Sequence, residues 1–256
     1  MSEWDPNLYL KFSDQRARPA ADLIAQIRIE NPAHIIDLGC GTGNSTEQLH
    51  RRWPQAELTG LDSSATMLAQ AQHNHPDWHW IKSAIEDWKA DATYELVFSN
   101  AALHWVPVHA RVFPRLLSYV APGGALAVQM PNNFRSPAHQ AMRKAAADPR
   151  WSAAVAGASE NTFVEPLSFY YDALRRQASG MNMWETEYLQ IMDGPGAVLD
   201  WMRSTAMRPW LVRLADDTQR KQFEELCLKE IEQAYPANDQ GKVIFPYKRI
   251  FIIAYR

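Results

Sequence analysis

Apolar positions follow two spacings along the first half of the chain. Between residues 33 and 130, short apolar runs of strand length alternate with stretches whose apolar residues recur every three or four positions. Ile35-Ile36, Leu58 to Leu61, Trp78 to Ile81, Glu95 to Asn100 and Ala125 to Met130 predict five strands. Leu23, Ile24 and Ile27 predict the inner face of a helix opening at Pro19. Leu49 with Trp53, then Met67, Leu68 and Ala71, predict two more helices. Val112, Phe113, Leu116, Leu117 and Val120 mark a fourth, which Pro122-Gly123-Gly124 stops. Such alternation predicts an α/β fold with a doubly wound, mostly parallel sheet. Ligands of such sheets bind beyond the carboxyl ends of the strands. Asp37, Asp62, the Ser83 to Asp87 loop and Asn100 are therefore expected around one crevice.

After Met130 the alternation stops. Pro131 to Pro166 predicts loops and helix, Tyr170 to Ala178 a helix, and Asn182 to Gln190 a sixth strand. Residues 195–235 predict helix, with Val198, Leu199 and Met202 on one face and Phe223, Leu226, Cys227 and Ile231 on another. Arg249 to Tyr255 predicts a last strand returning to the sheet. So long a helical segment between two late strands is expected to be a lid over the crevice. The expected organisation is one domain over 1–256: a cover over 1–30, a core over 31–130, strand six and the lid over 131–245, and the last strand over 246–256.

Composition narrows this little. With 46% hydrophobic and 21% charged residues, the chain has an ordinary globular balance. The net charge of −3 and pI of about 6.2 give no electrostatic reason to expect nucleic acid as a partner. Met1 to Asp5 lacks a basic stretch leading into an apolar one, so no signal peptide and a cytoplasmic location are expected. No apolar run approaches the ~20 residues of a membrane span, so no membrane is expected as a partner. Cys40 and Cys227, one in a turn and one in a predicted helix, are expected to stay reduced. The eight histidines and two cysteines show no ligand spacing, so no metal site is expected. Ten tryptophans are many for this length, and several are expected to line a pocket or pack the lid.

The chemistry starts at Asp37-Leu38-Gly39-Cys40-Gly41-Thr42-Gly43-Asn44, directly after Ile35-Ile36. Glycines there permit unusual dihedrals and let a ligand approach the backbone, and Asn44 or Ser45 is expected to cap the helix that follows. The pattern is G-x-G-x-G, with Asn44 where a dinucleotide fingerprint has its third glycine. A carboxylate at Asp37 disfavours a diphosphate and suits an amino group. Asp62, nineteen residues past Gly43, is placed to take ribose hydroxyls. The combination resembles the S-adenosylmethionine pocket of class I methyltransferases; a bare turn with a structural Asp is the plainer alternative. His104, after the fourth strand, reads as a packing residue or as a general base. Arg16, Arg18, Arg208 and Arg249 read singly as surface arginines. Together with Tyr170 and Tyr171 they read as a pocket for a polyanion, since the guanidinium fork matches carboxylates.

Further motifs carry a closer resemblance. Ser2-Glu3-Trp4-Asp5-Pro6, Tyr9-Leu10-Lys11-Phe12, Arg16-Ala17-Arg18-Pro19, Thr59-Gly60-Leu61-Asp62-Ser63, Ala125 to Pro131, Arg208-Pro209-Trp210-Leu211 and Phe245 to Ala254 resemble the trans-aconitate 2-methyltransferases over essentially the whole chain. Ala84, Thr42 and Tyr247-Lys248 depart from that pattern. The resemblance implies a seven-stranded Rossmann-like sheet with an inserted helical lid. It implies methyl transfer from S-adenosylmethionine to a carboxylate of a small tricarboxylate, with S-adenosylhomocysteine as product and no general base. Cofactor contacts would come from Tyr9, Asp37, Gly39, Cys40, Gly41, Asn44, Asp62, Ser63, Met67, Ala84, Ile85, Asn100, Ala101 and Trp105. Substrate contacts would come from Arg16, Arg18, His104, Tyr170, Arg208 and Arg249, all acting by positioning. Ala84 stands where the family has an acid, leaving adenine's amine to a backbone carbonyl, to Glu86 or to stacking alone. Another free carboxylic acid, an acylated carrier as substrate, or cofactor binding without catalysis remain alternatives at this point.

Overall fold

A computed structural model of the chain describes residues 13–158 and 162–256, with side chains from residue 17 onward. Helix α1 (Ser13–Gln26) contains Pro19 rather than starting at it. Burial of Ala20, Leu23 and Ile24 on its inner face outweighs the one backbone bond the ring removes. Strand β1 (His34–Leu38) leads through the glycine turn into α2 (Asn44–Arg52). Gly43, at φ 89°, occupies the cap position and no side chain caps this helix. The expected cap at Asn44 or Ser45 is thus corrected: a left-handed residue closes the turn, which glycine adopts at no steric cost. Then follow β2 (Glu57–Asp62), α3 (Ala65–Asn74), β3 (His79–Lys82), β4 (Tyr94–Asn100), a 3-10 turn over Leu103–Trp105, and α4 (His109–Ser118). Strand β5 (Val120–Pro131) runs straight through Pro122-Gly123-Gly124. The helix has already ended at Ser118, so Pro122-Gly123-Gly124 does not stop it. A Cβ on Gly124 would lie 2.4 Å from the Glu95 carbonyl, so the glycine serves close strand packing instead.

The later elements are α5 (Pro137–Ala146), α6 (Leu167–Leu174), β6 (Gly180–Met192), α7 (Pro195–Arg203), α8 (Arg208–Leu211), α9 (Asp217–Ala234) and β7 (Val243–Tyr255). The single helical stretch expected over 195–235 is three helices. Asp216 restarts the last by accepting a bond from the Gln219 amide at 2.8 Å. Helix α6 begins and ends earlier than expected, because Pro166 sets up its start.

Among the described residues the seven strands form one sheet in the order β3-β2-β1-β4-β5-β7-β6. The β1–β2, β2–β3, β1–β4 and β4–β5 pairs are parallel and the β5–β7 pair antiparallel. The doubly wound, mostly parallel sheet read from the sequence is the one observed. Register sorts its side chains into two faces. Ile36, Val97, Leu126 and Ala254 share one, with Val128, Ile252, Met130 and Ile250, inside an extensive apolar core. Asp37, Phe98, Asn100, Gln129, Phe251 and Arg249 share the other.

The chain packs as two units. One consists of residues 16–131, 162–186 and 249–256 and holds the core just described. The other includes residues 132–158 and 187–248, and its helices enclose a core of their own around Trp151, Trp201, Trp210, Phe223 and Phe245. Cys40 and Cys227 are both free and buried. None of the described helices is long and apolar enough to cross a membrane.

Candidate active site

The site starts where β1 ends. Asp37 is fully buried, its Oδ2 accepting from the hydroxyls of Ser45 (2.6 Å) and Thr46 (2.8 Å), while Oδ1 has no partner. Burial raises its pKa to about 6, against the two hydroxyl bonds that favour the charged form. Gly39 and Gly41 both have positive φ, 75° and 57°. A Cβ on Gly39 would sit 2.1 Å from that of Ala102, so the turn and the end of β4 touch at a point only glycine allows. A Cβ on Gly41 would meet nothing within 4 Å, which leaves the backbone open on that side.

Asp62 ties this turn to β2. Its Oδ2 accepts from the Gly41 amide at 2.9 Å and its Oδ1 from the Ser64 amide at 2.8 Å. Each oxygen keeps a further lone pair. Cys40 is buried and burial pushes its thiol pKa up, so it is an inert packing group against Gly60. Trp80 fills the space beside Gly60 and Gly43. Asn44 and Ser63 are exposed, and Met67 is half-buried on the first turn of α3.

The loop after β3 is held from both sides. The Ala84 carbonyl accepts from the amides of Asp87 and Trp88 and from the Ser83 hydroxyl. Arg115 on α4 grips the next two carbonyls, Ile85 and Glu86, at 2.6 Å each. The carbonyls of 84, 85 and 86 are thereby engaged, and Ile85 is buried against the turn. Sequence reasoning did not single out Arg115. Its partners lie about thirty residues away and leave no local pattern.

At the end of β4, Asn100 has a buried Oδ1 with no partner, and Ala101 takes φ 52° with its amide bound to the Gln129 carbonyl at 2.9 Å. His104 is buried, and its pKa is pushed down to about 3 by burial, then by the Arg249 and His109 charges. Trp105 is the exposed ring next to it. Arg249, also buried, donates from Nη1 to Gln129 Oε1 at 3.1 Å. Gln129 is another residue the sequence reading passed over. Its one signal is a lone amide in the apolar run Ala125 to Met130.

The remaining candidates fall elsewhere. Tyr170 is fully buried, with its hydroxyl 2.7 Å from His109 Nδ1 and accepting from the Glu165 amide at 3.0 Å. His109 Nε2 donates to the Leu103 carbonyl at 2.9 Å, so Tyr170 braces the turn that carries His104. Arg18 is exposed on α1 near Asp22 at 3.8 Å. Arg208 is exposed at the start of α8, in the second unit. Tyr9 and the Arg16 side chain lie outside the described residues. Among the described residues no His/Cys/Asp/Glu cluster is placed to hold a metal.

The acid, the open glycine cradle and the second acid stand at adjacent strand ends and fit a ligand with an amino group and a ribose. The methyltransferase domain family matches residues 35–124, the segment that builds them. The fold of the YcgJ protein from Bacillus subtilis is similar, with a TM-score of 0.60 at 12% identity over 93% of this chain and 99% of that one. The matched domain, together with two full-length relatives, defines a class I S-adenosylmethionine-dependent methyltransferase. The trans-aconitate 2-methyltransferase of Azoarcus sp. (strain BH72) is 41% identical over 100% of both chains, and that of Yersinia pestis (strain Pestoides F) 42% identical over 100% of this chain and 99% of its own. This chain belongs to the trans-aconitate 2-methyltransferase family.

Proposed function

We propose that the chain methylates a carboxylate of trans-aconitate to the monomethyl ester by in-line displacement, with no general base. His104 carries the reading. It is the ring at the crucial strand end, and at a pKa of about 3 it holds a proton too weakly to serve as a base at neutral pH. A carboxylate needs none, being ionised there already. The full-length likeness to relatives of that name supports the same substrate.

Bound S-adenosylmethionine supplies a methyl group on a sulfonium. Asp37 Oδ1 would take its ammonium, Asp62 its ribose hydroxyls, and Gly39, Cys40 and Gly41 would let it lie against the backbone. Asn44, Ser63, Met67, Asn100 and Ala101 would line the same cradle. With the carbonyls of 84 to 86 engaged, adenine would be held by packing on Ile85, Ala84 and Trp105. Arg249 would fix a carboxylate that does not react, and neutral His104 would hydrogen-bond beside it without adding charge. Tyr170 is left out of this pocket, since its hydroxyl is committed to His109 and Glu165. Arg18 and Arg208 enter through the family resemblance alone. Exclusion of water by these buried groups favours a step in which an anion and a sulfonium neutralise each other, and alignment supplies much of the rest.

The test is mass spectrometry on trans-aconitate, other small acids and an acylated carrier with labelled methyl donor. The expected result is one added methyl on trans-aconitate, with kcat lacking a rising limb between about pH 6.5 and 9. Cofactor binding with no acid methylated would overturn the proposal.

A further inference from the structure

We propose that Gln129 is the positioning residue of this site: it orients the Arg249 guanidinium and offers its own amide N–H to the same substrate carboxylate. The inference deepens the proposed function and rests on it. Gln129 pairs with Asn100 on one side and Phe251 on the other, and Arg249 pairs with Pro131 two residues along, so all these side chains project to one face. Gln129 is completely buried and Arg249 is 5% exposed. Because Oε1 accepts from Arg249, Nε2 is the donor end of the amide, and it is buried with no partner. An amide buried in an apolar run with its donors unmet is costly unless something meets them. A carboxylate does, and the arrangement of guanidinium and amide gives it two kinds of donor side by side. Trp184 stacks on Phe251 at 4.7 Å and 3°, which stiffens the strand beside the pair.

Charge is sorted along this face. The β5 and β7 side offers the donors of Gln129 and Arg249. The β1 and β4 side offers unpartnered acceptors, Asp37 Oδ1 and Asn100 Oδ1. An anion is therefore favoured at one end and a cationic group at the other, so that a substrate carboxylate and the cofactor ammonium do not compete for one place.

Two variants test this, each assayed for trans-aconitate kinetics and for S-adenosylhomocysteine affinity. Gln129→Met keeps the volume and removes the amide; KM is expected to rise about tenfold or more, with kcat within about threefold and cofactor-product Kd within about twofold. Gln129→Glu keeps the shape and the bond to Arg249 but neutralises the guanidinium, and KM is expected to rise about a hundredfold. It reports even where Gln129→Met fails to fold. Unchanged KM in the Glu variant overturns the inference and leaves trans-aconitate methylation standing. A Kd that rises in step with KM also overturns it, by assigning the pair to the cofactor. A wild-type protein that methylates no tricarboxylate defeats the proposed function and this inference with it.

Discussion

The two faces of the sheet are built from the same strands and behave as different materials. One face carries the extensive apolar core, with the buried Ser99 hydroxyl donating to the Leu38 carbonyl at 2.8 Å. The other carries Asp37, Asn100, Gln129 and Arg249 across four neighbouring strands, all at the ends where ligands bind. Three of the four have a buried polar atom without a partner, namely Asp37 Oδ1, Asn100 Oδ1 and Gln129 Nε2. Such groups oppose folding. The first face therefore supplies stability that the second spends on holding ligands, and substitutions on the two should separate the properties cleanly.

The largest effect is expected at the seam. Gly39→Ala forces a side chain into a left-handed residue and sets its Cβ 2.1 Å from that of Ala102. Calorimetry should show S-adenosylhomocysteine affinity falling more than ~100-fold. Next is the apolar face. Leu126→Ala should cost about 2–5 kcal/mol in denaturant unfolding while leaving KM for both substrates unchanged. A shift in KM would break the separation of the faces. The smallest effect, and the most informative in sign, is at Asp37. Its carboxyl holds a proton up to about pH 6 when folded, against the ordinary aspartate value of 3.8. The folded state binds more protons in between, so Asp37 lowers stability progressively as pH rises from about 4 to 6. Asp37→Asn should relieve up to about 3 kcal/mol of that cost at neutral pH, with the gain fading below about pH 4. Cofactor affinity should fall in the same variant. An Asn variant that is less stable at pH 7 than at pH 4, relative to wild type, would contradict the sign.

Parts of the site were legible along the chain because their signals are local. Asp37 and the glycines sit within a few residues of one another, and Asp62 ends a strand that the apolar pattern marks. Ser45 read only as a candidate helix cap, yet its hydroxyl and that of Thr46 turn inward to Asp37. Tyr170 read as a substrate contact through its grouping with Tyr171 and the arginines as a pocket for a polyanion. Its bonds to His109 and Glu165 arise from packing of α6 on α4 and have no sequence signature. Arg115 and Gln129 were passed over for the same reason.

The strands and helices of the first half, the acid-glycine bend and membership of an α/β class follow from the sequence itself, because hydrophobic periodicity and glycine dihedrals are properties of neighbouring residues. What only the tertiary structure decided is which polar side chains share a face. Gln129 and Arg249 lie 120 positions apart and meet because an antiparallel strand returns beside β5 in one particular register. A slip of one residue would turn each of those side chains to the opposite face.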